Sequence, residues 1–368
     1  MTMPRVLMLG PSIDAQGGMA TVERNIIEAV KRSGDSIDFL STFQDGGKPK
    51  KLVIAAGAYA RYLMCVGRFD LVHVHMASRG SFERKKVFMR TAFRRGIPVL
   101  LHLHGSEFGV YFDECTDSKR DEIRDVFGRC SGVIVLSEEW RDFVVANRLC
   151  EESNVRVLHN AVVVPAENLT DYSNRRILFM GRLNDRKSPD ILLRAAKEVL
   201  RDFPDTSFSF GGDGDVNRYR RLASELGISD RCNFLGWLSG AERESNFRKA
   251  SVYCLPSRNE GMPMSVLEAM SYGLATVTTP VGGIPQVIED RTNGLLVPVG
   301  DYEALATVLK GLLADEPFKR RLGEAGRATI ESRFGMKSFI EQLMAIYDST
   351  MAENSDKKVY TRDLFKRD

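Results

Sequence analysis

Two glycine-containing segments combine residues whose types and spacing suit a phosphate ligand. Gly17 and Gly18 follow a short apolar run and precede an amphipathic stretch, while Gly181, Arg182 and Lys187 follow another such run. Glycine lets the backbone approach a ligand closely, and the N-terminus of a following helix favours an anion. The arginine and the lysine add charges that fit a phosphate or a diphosphate. Taken alone, each segment also fits an ordinary turn.

A third segment, 256–270, carries the strongest signal because it joins a strand, a glycine turn and a helix. The helix is predicted to begin near Pro263, since proline suits the first helical turn. Glu260 lies in the turn, and Glu268 lies about one and a half turns into the helix. Carboxylates beside an anion-binding turn are unfavourable unless they accept hydrogen bonds from ligand hydroxyls, a role that sugar and ribose hydroxyls fit. The backbone predicted to form the anion-binding turn belongs to Gly261, Met262, Pro263 and Met264.

Other patterns exclude several kinds of site. Neither Gly17-Gly18 nor Gly212-Asp213-Gly214 completes the G-x-G-x-x-G dinucleotide fingerprint, which argues against a dehydrogenase. The six cysteines lie at least 15 residues apart and show no zinc-ribbon spacing, so we interpret them as small apolar residues. His73 and His75 share one face of a predicted strand. Because no third metal ligand is apparent, we interpret this pair as structural and predict no metal site.

Short β-branched runs alternate with longer amphipathic stretches, which predicts parallel sheets covered by helices. A polar, proline-containing connector at 160–176 interrupts the alternation, which then begins again. We therefore predict an α/β protein with domains at 1–165 and 166–335, a last amphipathic helix at 336–351 and a charged, poorly ordered tail at 352–368. The predicted strands are Arg5–Leu9, Leu71–His75, Val99–His104, Gly132–Ser137, Asn154–His159, Arg176–Met180, Ser207–Gly211, Cys232–Leu235, Val252–Pro256, Ala275–Thr278 and Gly294–Val297.

The net charge of +3 conceals an uneven distribution. Residues 1–100 hold 16 Lys and Arg against 8 Asp and Glu, so the remainder of the chain is net negative. Segment 79–95 contains seven cations, one glutamate and several phenylalanines, a composition typical of a helix at an anionic membrane surface. The alternative is a solvated helix whose phenylalanines pack in the domain core. No recognition motif accompanies the charge, which argues against nucleic acid as a partner.

The chain is expected to act in the cytoplasm, peripheral at the inner membrane face. No run approaches the roughly 18 apolar residues of a membrane helix, and the longest candidate, 52–66, is interrupted by Arg61. The N-terminal apolar run is too short for the core of a signal peptide.

Taken together, the motifs resemble family 4 retaining glycosyltransferases of the GT-B architecture, over about residues 5–350. The nearest resemblance is to bacterial exopolysaccharide and capsule glycosyltransferases. It implies two Rossmann-like domains with parallel sheets facing a central cleft and a C-terminal helix that crosses back to the N-terminal domain. The residues that carry it are Gly17-Gly18, His104-Gly105, Val133 to Ser137, Leu158 to Val162, Gly181-Arg182 with Lys187, Gly212-Asp213-Gly214, Leu235-Gly236-Trp237, Glu260 to Glu268 and Pro280 to Gly283.

The resemblance implies roles for individual residues in binding the donor. Arg182 and Lys187 would bind the diphosphate and stabilise the departing nucleoside diphosphate. Glu268 would hold the ribose hydroxyls, and Glu260, with the backbone of 261–264, would hold the hydroxyls and phosphate of the transferred sugar.

Further roles follow from the same resemblance. Gly18 would donate its backbone N–H to the distal phosphate, and His104 would lie near the transferred sugar. The backbone from Leu235 to Trp237 would contact the base. The remaining glycines expected in the binding set are Gly17, Gly181 and Gly212.

The implied reaction moves a hexose from a UDP-linked sugar to a saccharide acceptor, expected to be lipid-linked, in surface polysaccharide biosynthesis. Negative charge develops on the leaving diphosphate, and fixed cations and amides would stabilise it. We predict a retaining, metal-independent transfer without a cofactor, in which a donor phosphate oxygen takes the acceptor proton. Asp213 and Asp215 form an Asp-x-Asp sequence, but the family pattern places them in a structural loop.

Two other functions remain open from the sequence. A UDP-sugar epimerase with this fold would isomerise the donor without an acceptor. A non-catalytic subunit of a polysaccharide assembly complex would bind nucleotide without turnover, although the intact set Arg182, Lys187, Glu260 and Glu268 argues against a decayed site.

Overall fold

The computed structural model describes residues 3–44 and 48–364 and divides the chain into two compact units. Unit 1 comprises Met1–Asn160 and Met336–Asp368, and unit 2 comprises Ala161–Gly335. Each unit contains one six-stranded parallel sheet with helices packed on it. Within the described ranges, no helix combines the length and the apolar character needed to cross a membrane.

The sheet of unit 1 has the strand order β2-β1-β3-β4-β5-β6. Its central strands are buried along their whole length, as expected where helices cover both faces of a parallel sheet. Because β1 lies between β2 and β3, the direction in which the sheet grows reverses between β1 and β3, and ligands bind at the carboxyl ends of strands at such a point. The strands are β1 Val6–Pro11, β2 Asp38–Phe43, β3 Leu71–Met76, β4 Val99–Leu103, β5 Gly132–Val135 and β6 Val155–Val157.

The last helix of the chain belongs to unit 1, where it packs against α1. It continues to Leu364, past residue 351, where the sequence analysis predicted its end. The predicted tail is therefore helical over 352–364, and residues 365–368 lie outside the described ranges. The helices of unit 1 are α1 Gly18–Arg32, α2 Lys48–Cys65, α3 Gly80–Arg94, α4 Phe108–Asp113, α5 Asp117–Gly128, α6 Glu138–Ala146 and α13 Met336–Leu364.

Unit 2 repeats the arrangement with the strand order β12-β11-β10-β7-β8-β9. The growth of its sheet reverses between β7 and β10. Its strands are β7 Arg176–Met180, β8 Ser207–Gly211, β9 Cys232–Gly236, β10 Val252–Leu255, β11 Ala275–Thr278 and β12 Leu295–Leu296. Its helices are α7 Pro189–Asp202, α8 Val216–Glu225, α9 Gly240–Arg248, α10 Met264–Ser271, α11 Tyr302–Ala314 and α12 Glu316–Arg333.

The alternation of strands and helices agrees with the sequence analysis in type and order, with differences of one or two residues at the ends of several strands. Strand β2 and helices α2 and α9 were not predicted. Strand β5 ends at Val135, two residues before the predicted Ser137, because the Ser137 hydroxyl accepts a hydrogen bond from the Trp140 N–H and caps α6. All six cysteines are free thiols, and four of them are buried.

Helix α3 corrects the interpretation of 79–95 as a membrane-binding helix. Its phenylalanines Phe82 and Phe88 are 0% and 3% exposed and lie in the core of unit 1. The Lys86 ammonium lies 2.9 Å from a carboxylate oxygen of Glu122, and Lys85 is buried. The apolar face that would have entered a membrane therefore packs on the protein interior, which was the alternative in the sequence analysis.

Candidate active site

The loops after β7 and β10 bring the predicted phosphate-binding residues to one end of the unit 2 sheet. These strands are hydrogen-bonded neighbours, so their carboxyl ends lie side by side. The loop after β7 carries Gly181, Arg182 and Lys187, and the loop after β10 carries Glu260. The Arg258 N–H donates to the Arg186 carbonyl over 2.8 Å and joins the two loops directly. The predicted residues thus meet where an open α/β sheet binds its ligands.

Glu260 is the centre of a buried cluster of charged and polar groups. Its carboxylate is paired with the Lys187 ammonium, and Arg186 Nη1 lies 3.2 Å from the second oxygen, Oε2. The Ser257 hydroxyl donates to Oε1 over 2.7 Å. The side chains of Lys187 and Glu260 are 11% and 5% exposed. Two cations therefore share one carboxylate, which leaves a net positive charge at the end of the sheet.

Burial and charge act in opposite directions on the Glu260 carboxyl. Burial alone raises its pKa, but the charges of Lys187 and Arg186 and the hydrogen bonds from Lys187 and Ser257 outweigh burial and lower the pKa below its ordinary value. Glu260 is therefore an anion at neutral pH, and it holds Lys187 in one position.

The glycine turn after β8 supports the loop after β7 by close backbone contact. The backbone of Gly212 has φ +146°, and a Cβ atom there would lie 1.9 Å from the Gly181 carbonyl oxygen. The Leu183 N–H donates to the Asp213 carbonyl over 2.7 Å, and the Asp215 N–H donates to the Leu183 carbonyl over 3.0 Å. Only glycine fits at residue 212 because a side chain would displace the loop that carries Arg182.

Arg182 differs from Lys187 in being open to solvent. Its side chain is 65% exposed, and its Nε atom lies 3.9 Å from Asp213 Oδ2. Asp213 therefore lies beside a cation of the candidate site. Arg182 has the freedom to turn toward an anion that binds at the loop.

The turn before α10 is buried from Gly261 to Met264, and the helix begins at Met264 directly after Pro263. Gly282 packs against this turn with φ +57°, and a Cβ atom there would lie 1.9 Å from the Glu260 carbonyl oxygen. The Gly283 N–H donates to the Gly261 carbonyl over 2.6 Å. The pair Gly282-Gly283 thus holds the Glu260 turn in place.

Replacing Gly282 by alanine is expected to destabilise the protein by about 2–4 kcal/mol, because alanine is strained at this φ and its Cβ overlaps the Glu260 carbonyl. Urea unfolding followed by circular dichroism measures the change. Gly311→Ala is the matched control, because Gly311 lies within α11 and a Cβ atom added there meets nothing within 4 Å, so it should gain about 0.5–1 kcal/mol. Equal unfolding midpoints for the two variants would contradict the packing described.

Glu268 lies in α10 and is bound by an arginine that the sequence analysis did not identify. Arg243 Nε donates to Glu268 Oε1 over 3.2 Å, and Arg243 Nη2 donates to Oε2, so the pair is bidentate. The two side chains are 25% and 17% exposed. Arg243 comes from α9, 25 residues earlier in the chain, and only the folded arrangement brings it to Glu268. The carboxylate is thus held with one fixed orientation.

The residues predicted to contact a base lie at the carboxyl end of β9, the edge strand two places from β7. Leu235 is half-buried, and Trp237 is 40% exposed. The Gly236 carbonyl accepts a hydrogen bond from the Gly212 N–H over 2.7 Å, which ties this strand end to the glycine turn after β8.

Three of the predicted residues, Gly17, Gly18 and His104, lie in unit 1. Gly17 has φ +134° and precedes α1, which begins at Gly18 after β1. His104 follows β4, and its Nε2 atom is hydrogen-bonded to His75 Nδ1 over 2.8 Å. Burial lowers the pKa of the His104 imidazole to about 3. At neutral pH this ring is uncharged, so it can form a hydrogen bond but contributes no positive charge.

Two protein families match the chain, one in each half. The family described as "Glycosyltransferase Family 4" matches residues 16–164, and the family described as "Glycosyl transferases group 1" matches residues 165–329. The chain is 25% identical to the phosphatidyl-myo-inositol mannosyltransferase of Mycolicibacterium smegmatis, with 94% of each chain covered. It is 27% identical to a D-inositol 3-phosphate glycosyltransferase of Corynebacterium diphtheriae, over 83% of this chain and 77% of that protein. Neither relative is named as an exopolysaccharide or capsule enzyme.

Solved structures show the same fold at lower sequence identity. HepE of Anabaena in complex with UDP superposes with a TM-score of 0.74 and 16% identity, covering 94% of this chain and 100% of that chain. Sucrose-phosphate synthase of Thermosynechococcus elongatus superposes with a TM-score of 0.77 and 18% identity, covering 95% of this chain and 100% of that chain. The predicted GT-B fold is confirmed.

Proposed function

We propose that this chain, which is a glycosyltransferase of the GT-B fold, moves a hexose from a UDP-linked sugar to a saccharide or lipid-linked acceptor with retention of configuration. The observation that carries the proposal is the buried cluster of Lys187, Arg186 and Glu260 at the reversal point of the unit 2 sheet. Fixed cations at this position suit the diphosphate of a nucleotide sugar.

The proposed transfer depends on electrostatic stabilisation of the leaving group. The bond between the sugar C1 and the phosphate oxygen breaks, the acceptor oxygen bonds to C1, and a phosphate oxygen of the donor takes the acceptor proton. Negative charge grows on the diphosphate, and Lys187, Arg186 and Arg182 supply the opposing charge. Because Lys187 is already held by Glu260, little reorganisation is needed as the charge develops.

The other roles follow from the positions of the side chains. Glu268, oriented by Arg243, is proposed to accept hydrogen bonds from the donor ribose, and Glu260 to orient Lys187 and contact the sugar hydroxyls. Leu235 to Trp237 remain the proposed contact for the base. In unit 1, Gly18 and His104 keep their proposed contacts with the distal phosphate and the transferred sugar.

The donor and the acceptor are supported by different comparisons. UDP as the nucleotide is supported by HepE, which was solved with UDP. The relatives' names support a second candidate acceptor, an inositol phosphate or phosphatidylinositol, with mannose as a candidate sugar. A role in surface polysaccharide synthesis is supported only by the sequence motifs.

One measurement separates these possibilities. The purified full chain is incubated with a panel of UDP- and GDP-sugars and with inositol phosphate, phosphatidylinositol or a lipid-linked saccharide, and the products are identified by mass spectrometry. The proposal predicts a glycosylated acceptor and free UDP. Donor isomerisation without an acceptor would establish an epimerase instead, and nucleotide binding without turnover on any acceptor would favour a non-catalytic subunit. Turnover with GDP-mannose alone would overturn UDP as the nucleotide.

An EDTA arm of the same assay tests metal independence. Because protein cations supply the charge at the diphosphate, transfer should keep its full rate after free Mg²⁺ and Mn²⁺ are chelated. Loss of the rate in EDTA with recovery on adding Mg²⁺ would overturn this part of the proposal.

A membrane-associated acceptor is supported by an exposed patch at the ends of α2 and α3. Leu63 and Met64 are 39% and 73% exposed. The Arg95 guanidinium donates to the Leu63 carbonyl over 2.9 Å, so the end of α3 adjoins this part of α2. Arg61 and Arg94 are also exposed on these two helices. Apolar side chains among arginines suit the surface of an anionic bilayer.

Reversing the charge of Arg61 and Arg94 to glutamate is expected to weaken binding to phosphatidylserine vesicles by at least about 10-fold, since each cation near the surface contributes about 1 kcal/mol. Co-sedimentation at low and high salt measures the change. The control is Arg194→Glu with Lys197→Glu, which alters the net charge equally on the exposed side of α7. Equal vesicle binding by both double variants would contradict the proposal that this patch binds the membrane.

A further inference from the structure

Four of the five histidines in the chain meet on one face of the unit 1 sheet. His73 and His75 alternate on β3, so their side chains share a face. His102 lies on β4 directly opposite His75, and His104 follows that strand. The local sequence offers His73 and His75 no third ligand, and the register of β3 and β4 supplies one, His102.

The three strand histidines form a buried group of nitrogen atoms. His73, His75 and His102 are each 0% exposed, and each offers a ring nitrogen within 4.8 Å of those of the other two. Among the described residues, Nε2 of His73, Nε2 of His75 and both nitrogens of His102 have no hydrogen-bond partner. A buried polar atom without a partner costs about 1–3 kcal/mol, so such a group calls for a ligand or water.

Neighbouring side chains fix two of these rings through the opposite nitrogen. His73 Nδ1 is hydrogen-bonded to the Tyr347 hydroxyl of α13 over 2.8 Å, and His75 Nδ1 is hydrogen-bonded to His104 Nε2 over 2.8 Å. Metal-binding histidines commonly use their second nitrogen in this way, which orients the first toward the ion.

We propose that His73, His75 and His102 bind one divalent transition-metal ion, with Zn²⁺ the best match to three imidazole ligands. Zinc–nitrogen bonds of about 2.0–2.1 Å require each ring nitrogen to move by less than about 1 Å from its present position. The ion is structural: it links β3 to β4 within the interior of unit 1. It does not depend on the proposed glycosyl transfer.

The charges beside the cluster are compatible with a divalent cation. Glu23 of α1 is 0% exposed, and its Oε1 lies 3.9 Å from His75 Nδ1. Neither of its carboxyl oxygens has a hydrogen-bond partner among the described side chains and backbone. Lys85 is the neighbouring cation, but its ammonium donates to the His75 carbonyl over 2.7 Å. Glu23 places an acidic group beside His75, and a divalent cation in the cluster would favour its charged form.

Gly10 makes the position of Glu23 possible. A Cβ atom on residue 10 would lie 2.0 Å from Glu23 Oε1, so β1 leaves room for a carboxylate inside the sheet–helix layer. A buried carboxylate beside His75 is costly in a dry interior and favourable beside a cation.

Metal analysis of the intact chain tests the proposal. Elemental analysis after gel filtration should find about one Zn²⁺ per chain. His102→Leu should lose the ion and lower the midpoint of thermal unfolding. His159→Gln is the control, because His159 lies outside the cluster and its Nδ1 is bonded to the Leu136 carbonyl. This variant should keep the ion.

Two further measurements apply if His102→Leu does not fold. The wild-type chain is unfolded with a chelator and refolded with Co²⁺, which should give the visible absorption of a tetrahedral ion. His73→Gln should reduce that absorption and keep the circular dichroism of the fold. A wild-type chain that folds without a stoichiometric ion, and takes up neither Zn²⁺ nor Co²⁺ on refolding, would overturn the proposal. So would His102→Leu with unchanged or raised stability, since water-filled polar cavities gain from apolar replacement.

Discussion

Replacing Lys187 by methionine is expected to lower kcat/KM for the nucleotide sugar by at least about 10²–10³-fold, the usual cost of removing one group that stabilises charge in the transition state. Lys187 is the buried cation of the candidate site and is held by Glu260, so a water molecule does not replace it at equal strength. Initial rates of UDP release with saturating acceptor measure the effect. Lys187→Arg should retain more activity than Lys187→Met because it keeps the charge.

The single variant also leaves Glu260 with one partner fewer in the interior. Breaking a buried ion pair costs up to about 3–5 kcal/mol, so the single variant can also lose activity through a loss of folded protein. The double variant Lys187→Met with Glu260→Gln removes both charges and should unfold near the wild-type midpoint while remaining inactive. Arg186 and Ser257 stay in place to hydrogen-bond the new amide.

A matched lysine provides the control for this prediction. Lys197 lies on the exposed side of α7 in the same unit, and Lys197→Met should leave kcat/KM and the unfolding midpoint unchanged. A folded double variant with the wild-type rate would exclude the cluster as the site of phosphate stabilisation.

The order of the elements could be predicted because each strand of a parallel sheet is a short apolar run. The helix that follows it differs in having apolar residues that recur every three or four positions. Strand β2 was not predicted because it lies at the edge of its sheet and mixes polar with apolar residues, so its sequence DFLSTF lacks a continuous apolar run. The glycine motifs were visible for a different reason. Gly212 and Gly282 stand where a backbone atom of another loop occupies the place of a side chain, and no other residue fits.

The partners of the site residues could not be predicted in the same way. Arg243 contacts Glu268 from another helix, and His102 lies opposite His75 because of the register of two strands. The spacing of these residues along the chain therefore predicts neither contact. The second His-x-His sequence, His102 and His104, was the available signal. It became informative only with the strand register.

Helix α3 shows why a correct pattern can have two structural outcomes. An apolar stripe among cations has the same period whether it faces a bilayer or a sheet, and only the surrounding elements distinguish the two. Here Glu122 of α5 pairs with Lys86 and Arg90, and the phenylalanines Phe82 and Phe88 pack in the core of unit 1. The exposed end of the helix keeps the remaining charge.

Replacing Glu268 by glutamine is expected to raise the KM for the nucleotide sugar by about 10–100-fold with a smaller change in kcat, since hydrogen bonds to a charged group contribute about 1.5–3 kcal/mol. The proposed ribose contact is equal in the ground state and the transition state, which is why binding changes more than the chemical step. Steady-state kinetics over a range of donor concentrations separate the two parameters. Glu244→Gln is the control, because Glu244 is an exposed carboxylate on α9 that pairs with Arg248.

A donor without ribose hydroxyls identifies the group that Glu268 binds. With such a dideoxyribose UDP-sugar, wild type and Glu268→Gln should have the same KM, because the hydrogen bonds that distinguish them are absent. Arg243→Gln should raise the KM for the normal donor in the same direction by a smaller factor, since Arg243 acts only by holding the carboxylate. A tenfold difference that persists with the dideoxyribose donor would instead assign the effect of Glu268 to its ion pair with Arg243, which joins α10 to α9.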